Sequence, residues 1–221
     1  IAARRRSQTD APCGKVTRFA WIAFPSCDSE DRLAPPAALW CPAREAALII
    51  TTDRLRLRCM EPRDIDPFVN ALNDWEVQQW LAQPPFPYER VHGEAYLSIM
   101  QANHARPCPT VFVMADKTSD AALGTAGIDV GDDGIGTLGY WLGRPHWGHG
   151  FAQEAVRAVM AHARGHPDLR LIAATTDPDN QRSQRVLSAG GLVNLGLHDR
   201  TPPSRRGSTR MLRYELVIRA P

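Results

Sequence analysis

Between Leu138 and Thr175 the chain runs through an apolar stretch, a turn with two glycines, an amphipathic helix pattern and a second apolar stretch, and no other part restricts the fold as much. Leu138-Gly-Tyr-Trp-Leu142 is too short for a helix and rich in large apolar residues, so it reads as a strand. Phe151, Ala152, Ala155, Val156, Val159, Met160 and Ala163 then recur at helical spacing and lay one apolar stripe along 151–164. Gly165 and Pro167 stop that helix, and Leu171-Ile-Ala-Ala-Thr175 supplies the next strand. A striped helix between two apolar strands buries its stripe against a sheet, which assigns the chain to the α/β class.

The remaining sequence supplies the other elements. Residues 52–58 alternate apolar and charged side chains, the period-two mark of a half-buried strand. Pro62 opens a first helix over 62–73, Asp74 can cap a second short one through Trp75, Val77 and Trp80, and a third is expected over 89–104, beyond the proline break at 84–87. Strands are expected at 110–114 and 123–130, with turns at 116–120 and 132–134. A helix over 180–189, ended by Gly190 and Gly191, and strands at 192–197 and 211–218 complete the chain. The expected order is β-α-α-α-β-β-β-α-β-α-β-β, an antiparallel meander followed by the strand-helix-strand unit. Residues 1–48 show neither period and contain Pro12, Pro25, Pro35, Pro36 and Pro42, so a poorly ordered N-terminal extension is expected ahead of a domain at 49–221. Ile1 in place of Met fits a fragment, or a translation begun upstream of the natural start.

Charge narrows the partners. The 26 basic and 24 acidic side chains leave a formal net charge of +2; the excess lies in residues 1–48, and the body from 49 onward carries 19 of each. A protein that neutralises phosphates over a surface shows a basic excess there, so nucleic acid is not expected as the principal ligand. Hydrophobic residues at 43% and charged ones at 23% exclude a mostly disordered chain. Cys13, Cys27, Cys41, Cys59 and Cys108 are odd in number, scattered and without a C-x-x-C pair, which argues against a disulfide framework and a cysteine-rich zinc site. No apolar run approaches the roughly 20 residues of a membrane helix. Arg4, Arg5 and Arg6 ahead of the apolar residues 19–24 imitate a signal peptide, but that stretch is short and Lys15 and Arg18 interrupt its approach, so a cytoplasmic protein is expected. Lys15 and Lys117 are the only lysines; with abundant Ala, Pro and Gly this suggests a GC-rich coding sequence and a bacterial source.

Chemistry concentrates at the turn before the 151–164 helix. Gly148 and Gly150 remove side chains where the chain turns tightly and let a ligand approach the backbone. The first N–H groups of the helix lack intrahelical acceptors, and with its partial positive end they suit a phosphate or diphosphate. Taken alone, the same residues also describe a plain strand-to-helix turn. Gly134-Ile-Gly-Thr-Leu-Gly139 matches G-x-G-x-x-G, with Glu154 at the ribose-acid distance, but it leads into a strand where a dinucleotide fingerprint opens a helix, so the match is accidental. The G-x-x-x-x-G-K-[ST] loop of nucleotide hydrolases is absent. Thirty residues beyond Gly150, Asn180 and Ser183 stand one turn apart on one face of a helix start. The pairs His146/His149 and His162/His166 have ligand-like spacing, yet neither has a third partner nearby and neither lies in H-E-x-x-H, so no metal is expected.

In this order the motifs resemble those of the GNAT N-acetyltransferases, and within them the RimJ/RimL-like branch, over 49–218. Trp147-Gly-His-Gly-Phe-Ala152 is similar to the coenzyme A loop Q/R-x-x-G-x-G/A, with Trp147 replacing Gln or Arg as in the branch's W-G-x-G-x-A version. Gly139-Tyr-Trp-Leu142 resembles the branch's G-Y-W-L strand, Glu154-Ala155 its E-A, and 52–58 its T-x-R-L-x-L-R opening. Asn180, Ser183 and Leu187 resemble its N-x-x-S-x-x-x-L helix, followed by Gly190-Gly191-Leu192 where G-F is usual. The resemblance implies a GNAT fold: a mixed, mostly antiparallel twisted sheet flanked by helices. It implies transfer of an acetyl group from acetyl-CoA to a primary amine, of a protein N-terminus or a small molecule, by direct attack in a ternary complex without an acyl-enzyme. Under it, the backbone N–H groups of Trp147, Gly148, His149, Gly150, Phe151 and Ala152 hold the coenzyme's diphosphate. The main chain of Tyr140, Trp141 and Leu142, on a strand splayed from the 171–175 strand, pairs with the pantetheine arm. Asn180 hydrogen-bonds that arm, and Ser183 protonates or stabilises the departing thiolate in place of the tyrosine of many relatives, which 171–198 lacks. A monomer or homodimer is expected, with no nucleic-acid or membrane partner.

An amine with a pKa near about 10 must lose a proton before it attacks, which needs a carboxylate, an imidazole or a water chain to one. The branch often has Glu where this chain has Thr137; Asp129, Asp177 and ordered water are the remaining candidates for the base. His146 and His149 flank the loop as lining or surface groups. Trp75, Trp80, Phe86 and Tyr88 either wall the acceptor side or fill core. Arg200, Arg205, Arg206, Arg210 and Arg213 around Pro202-Pro203 form a solvated hairpin or a basic clamp for an acidic acceptor or the coenzyme's ribose phosphate. Thr137 and the missing tyrosine also admit a GNAT-like acyl-CoA sensor or interaction module without catalysis.

Overall fold

The computed structural model describes residues 48–219, apart from 83, 107 and 201–203. The expected extension therefore lies outside the described residues but for Leu48, as do Cys13, Cys27, Cys41 and the Pro202-Pro203 turn. Eight described strands form one sheet: β1 (Ile50–Thr51), β2 (Leu55–Arg58), β3 (Val111–Asp116), β4 (Ala122–Val130), β5 (Ile135–Leu142), β6 (Leu171–Thr176), β7 (Val193–Asp199) and β8 (Arg210–Val217). The helices are α1 (Ile65–Leu72), α2 (Trp75–Gln78), α3 (Arg90–His104), α4 (Phe151–Ala163) and α5 (Gln181–Ala189). The spatial order is β1-β2-β3-β4-β5-β6-β8-β7, antiparallel at every step except β5–β6. This is the mixed, mostly antiparallel sheet flanked by helices that the sequence implied.

Several boundaries differ from expectation, and at β1–β2 and β5 the physical reason is visible. Residues 52–58 do not form one strand, because β1 folds back on β2 through a turn closed by Thr52. Its N–H donates to the Leu55 carbonyl (2.9 Å) and its Oγ1 accepts the Leu55 N–H (3.0 Å), a local side-chain bond that competes with an extended backbone. Residues 62–64 form a 3-10 turn ahead of α1, and α2 stops at Gln78, short of Trp80. β5 begins at Ile135, three residues early, because parallel pairing with β6 draws 135–137 into the sheet.

Both faces of the sheet are covered. On β3, Phe112 and Met114 face the cluster that holds Val156 and Val159 of α4, while Val111 and Val113 face Phe68 of α1 and Tyr96 and Met100 of α3. Burial on both sides explains why 111–114 is continuously apolar rather than alternating. The α4 stripe lands as its spacing requires, with Ala155, Val156, Val159, Met160 and Ala163 all buried; each large one contributes about 1.5–3 kcal/mol. Among the described residues no helix is long and apolar enough to cross a membrane.

Candidate active site

β5 and β6 pair only through Ile135↔Leu171, Gly136↔Ile172 and Thr137↔Ala173. Beyond that point β5 stays with β4 as far as Leu142↔Gly124, and β6 stays with β8 as far as Thr176↔Leu212. Each strand follows its antiparallel neighbour, and the sheet's twist carries the two ends apart. The facing edges of 138–142 and 174–176 are therefore not paired with each other.

At the end of β5 the chain passes through a 3-10 turn at Arg144–His146 into Trp147 and the glycine pair. Gly148 (φ +80°) and Gly150 (φ +79°) are both left-handed, a conformation that costs an ordinary L-residue about 1–2 kcal/mol. Gly150 is the N-cap of α4, and its carbonyl accepts the Glu154 N–H at 3.1 Å. None of the six consecutive backbone N–H groups from Gly148 to Gln153 has a protein acceptor among the described residues. Six orphan donors at the positive end of a thirteen-residue helix make an anion site.

Two side-chain bridges join this strand and loop to α5. The Trp147 indole donates Nε1–H to the Leu142 carbonyl (2.9 Å), and the Arg182 guanidinium lies over its ring at 4.1 Å. The Tyr140 hydroxyl sits 2.9 Å from Ser183 Oγ and donates to the Ser183 carbonyl at 3.1 Å. Burial drives the Tyr140 phenol's pKa up, against the opposing pull of the Ser183 hydrogen bond, so the phenol keeps its proton throughout the working pH range. Sequence reasoning used only the main chain of Tyr140; its side-chain partner is 43 residues away, and no local pattern signals it. Trp141 points to the other face, its ring edge on Phe68 at 4.9 Å, and Leu142 is core. Asn180 caps α5, its Oδ1 accepting the Ser183 N–H at 3.1 Å, while its Nδ2 makes no hydrogen bond among the described residues.

The candidate bases stand at different levels along the sheet. Asp129 lies opposite Thr137, at the level where β5 and β6 are still paired. Asp177 follows β6 on the splayed side, is 6% exposed, and accepts the Asp179 N–H through Oδ1 at 2.9 Å; its buried Oδ2 has no partner among the described residues. His149 is exposed, and His146 is half-buried with its pKa lowered by burial and then by His149. Among the described residues no group of three or more His, Cys, Asp and Glu is placed to hold a metal.

The four aromatics expected either to wall the acceptor side or to fill core are divided. Tyr88 is core, Trp75 and Phe86 form an exposed pair at 5.6 Å, and Trp80 lies under the Arg206 guanidinium at 4.4 Å. Trp80 lines an open groove of about 260 Å³ with Asp179, Asn180, Gln181, Arg182 and Arg185, beside the start of α5. The hairpin arginines are not simply solvated. Arg205 donates to the carbonyls of Leu81 (3.0 Å) and Pro84, and Arg206 to Gln79 (2.7 Å) and Asp179 (3.2 Å), because the β7–β8 connection folds over the segment after α2.

A mixed sheet that opens between two parallel neighbours, with an amide-lined loop and helix at the end of one of them, is the architecture of the GNAT fold. The chain belongs to the GNAT acetyltransferase family: residues 54–193 match its Acetyltransferase (GNAT) domain. It is 31% identical over 147 residues to the uncharacterized protein YkkB of Bacillus subtilis (strain 168), covering 65% of this chain and 84% of that one. It is 30% identical over 148 residues to the uncharacterized N-acetyltransferase p20 of Bacillus licheniformis, covering 66% and 83%. In fold it is similar to the ribosomal-protein-S5-alanine acetyltransferase of Vibrio fischeri (TM-score 0.66, 18% identity, 77% of this chain and 96% of that one). It is similar also to RimL, a ribosomal L7/L12 alpha-N-protein acetyltransferase solved with coenzyme A (TM-score 0.62, 20% identity, 77% and 98%).

Proposed function

We propose that this protein moves the acetyl group of acetyl-CoA onto a primary amine, of a protein N-terminus or a small molecule, as a RimJ/RimL-like cytoplasmic enzyme. The observation that carries the reading is the run of six unpartnered amides at 148–153, beside the gap where β5 and β6 part. The residues fit the coenzyme: an anion site for a diphosphate lies at the end of a strand whose free edge can take an extended, amide-bearing arm. When bound, acetyl-CoA supplies an acetyl thioester open to direct attack by an amine.

The chain's own groups divide the remaining work. Main-chain N–H groups from Gly148 to Ala152 bind the diphosphate, the Trp147 N–H expected among them being donated to the Arg144 carbonyl at 3.2 Å, and the free edge at Tyr140, Trp141 and Leu142 orients the arm, with the Leu142 carbonyl already held by the Trp147 indole. Asn180 offers its Nδ2 to the same arm. Ser183 Oγ–H delivers a proton to the leaving sulfur once the Tyr140 phenol, 2.9 Å from Oγ, turns its own O–H from the Ser183 carbonyl to Oγ. Asp129, Asp177 or water held in the gap takes the proton of the amine.

Ser183→Ala tests the assignment. General-acid removal costs roughly 10²-fold or more in turnover, so kcat should fall by about that factor while coenzyme affinity changes little. Unchanged turnover with the preferred acceptor at saturating coenzyme rejects the role. Thiol release measured across a panel of amines and peptides tests the reaction itself; calorimetric binding of coenzyme with no release from any acceptor would favour a sensor.

A further inference from the structure

We propose that Arg54, at the tip of the β1–β2 turn, positions the loop's amides for the diphosphate by holding the His149 carbonyl away from them. The inference rests on the reading of 148–153 as the coenzyme site and names a residue of that site from a distant element. Arg54 NH1 donates to the His149 carbonyl at 2.7 Å. Its Nε and NH2 meet Glu154 Oε2 at 2.8 and 2.7 Å, and its backbone N–H donates to Glu154 Oε1 at 2.8 Å. Thr52 Oγ1 donates to the same Oε1 at 2.6 Å, and the guanidinium lies over the Phe151 ring at 4.7 Å.

Three consequences follow from covalent geometry and charge. In a trans peptide the C=O and the following N–H point in opposite directions, so drawing the His149 carbonyl toward Arg54 turns the Gly150 N–H away from it. Glycine at 150 permits either orientation of that peptide, and without a tether the carbonyl's negative end could rotate toward an incoming anion. The second consequence concerns the helix. Gln153, like Phe151 and Ala152, belongs to the first turn, whose N–H groups have no intrahelical acceptor, and the His149 carbonyl, held by Arg54, does not turn in to take any of them. The third is electrostatic, since Glu154 places a carboxylate in the first turn beside an anion site. Burial alone would raise its pKa, but Thr52 and Arg54 outweigh that and keep it ionised, and the same Arg54 charge offsets its repulsion of a diphosphate. All three guanidinium nitrogens are engaged with protein groups, so Arg54 acts through the loop.

The test compares acyl donors with and without a diphosphate. Arg54→Ala should raise the Kd of coenzyme A by calorimetry, and the KM of acetyl-CoA, about tenfold, the value of one charge-assisted hydrogen bond. Acetyl-pantetheine lacks the diphosphate, and its kcat/KM should change less than about twofold. Equal losses with both donors would reduce Arg54 to a folding residue, and undiminished coenzyme A affinity would reject the clamp outright. If the alanine variant does not fold, Arg54→Lys is read in the same assays; it keeps the charge but cannot span His149 and Glu154 together, so a loss confined to the diphosphate-bearing donor is again expected, and no loss overturns the proposal. Failure of the wild-type protein to bind coenzyme A would instead overturn the coenzyme site on which the inference stands.

Discussion

Arg58 shows how far a single residue can depart from the pattern that contains it. The alternation of 52–58 sets Leu55 and Leu57 inward and the arginines on the opposite side, yet Arg58 is only 3% exposed. Its guanidinium makes a two-point contact with Asp64, also buried, at 2.7 and 2.9 Å, and its Nε donates to Asp120 at 3.2 Å. Asp120 lies 62 residues away, so nothing near Arg58 in sequence announces that second contact. Arg58→Ala would leave the Asp64 carboxylate buried and uncompensated, at a cost of about 3–5 kcal/mol in urea unfolding. Adding Asp64→Asn should recover part of that loss, and a simply additive double variant would show that the two side chains do not act as a pair. Ser183 and Asn180 were legible because a capping Asn and a Ser one turn on have a local signature. The Tyr140 hydroxyl that fixes Ser183 was not, because it arrives from another strand.

At the scale of elements, α4 and its glycine turn were readable because both follow local rules: a 3.6-residue period, and φ values open to glycine. The limits of β1, β2 and β5 were not, since a side-chain-closed turn and a parallel neighbour set them. The splay of β5 from β6 was expected only through the family resemblance. It arises because each strand keeps its antiparallel partner to the end while their own ladder stops after three pairs. Amide hydrogen exchange tests the site at this scale. Saturating coenzyme A should slow exchange at 148–153 by about tenfold or more, and leave the outer strand β7 unchanged. Protection that misses the loop would place the coenzyme elsewhere.

Over the whole molecule, α3 and α4 are joined across the end of β3 by two histidines. His104 bonds the Val111 carbonyl at 2.8 Å and sets its ring edge-on to Phe112, and His162 meets the same ring from α4. Burial lowers the His104 pKa below its ordinary 6.5, with the Val111 carbonyl pulling the other way. The unfolded chain therefore takes up this proton more readily than the folded one. Stability should be complete above about pH 6.5 and decline as pH falls from there through the lowered folded value. The urea midpoint followed from pH 7 to 5 should show that decline, and His104→Gln should flatten it; the same slope in the variant would clear His104 of the effect.

The sequence by itself determined the α/β class, the loop and helix that present free amides, and the capped start of α5, because each depends on backbone conformation and periodicity within a few residues. Tertiary structure decided that β8 enters between β6 and β7, that Arg54 reaches His149 and Glu154 across 95 and 100 residues, and that the arginines of the last hairpin close on the segment after α2. Those contacts depend on which strands become neighbours, and strand neighbours are chosen by burial of the whole sheet rather than by any local stretch of chain.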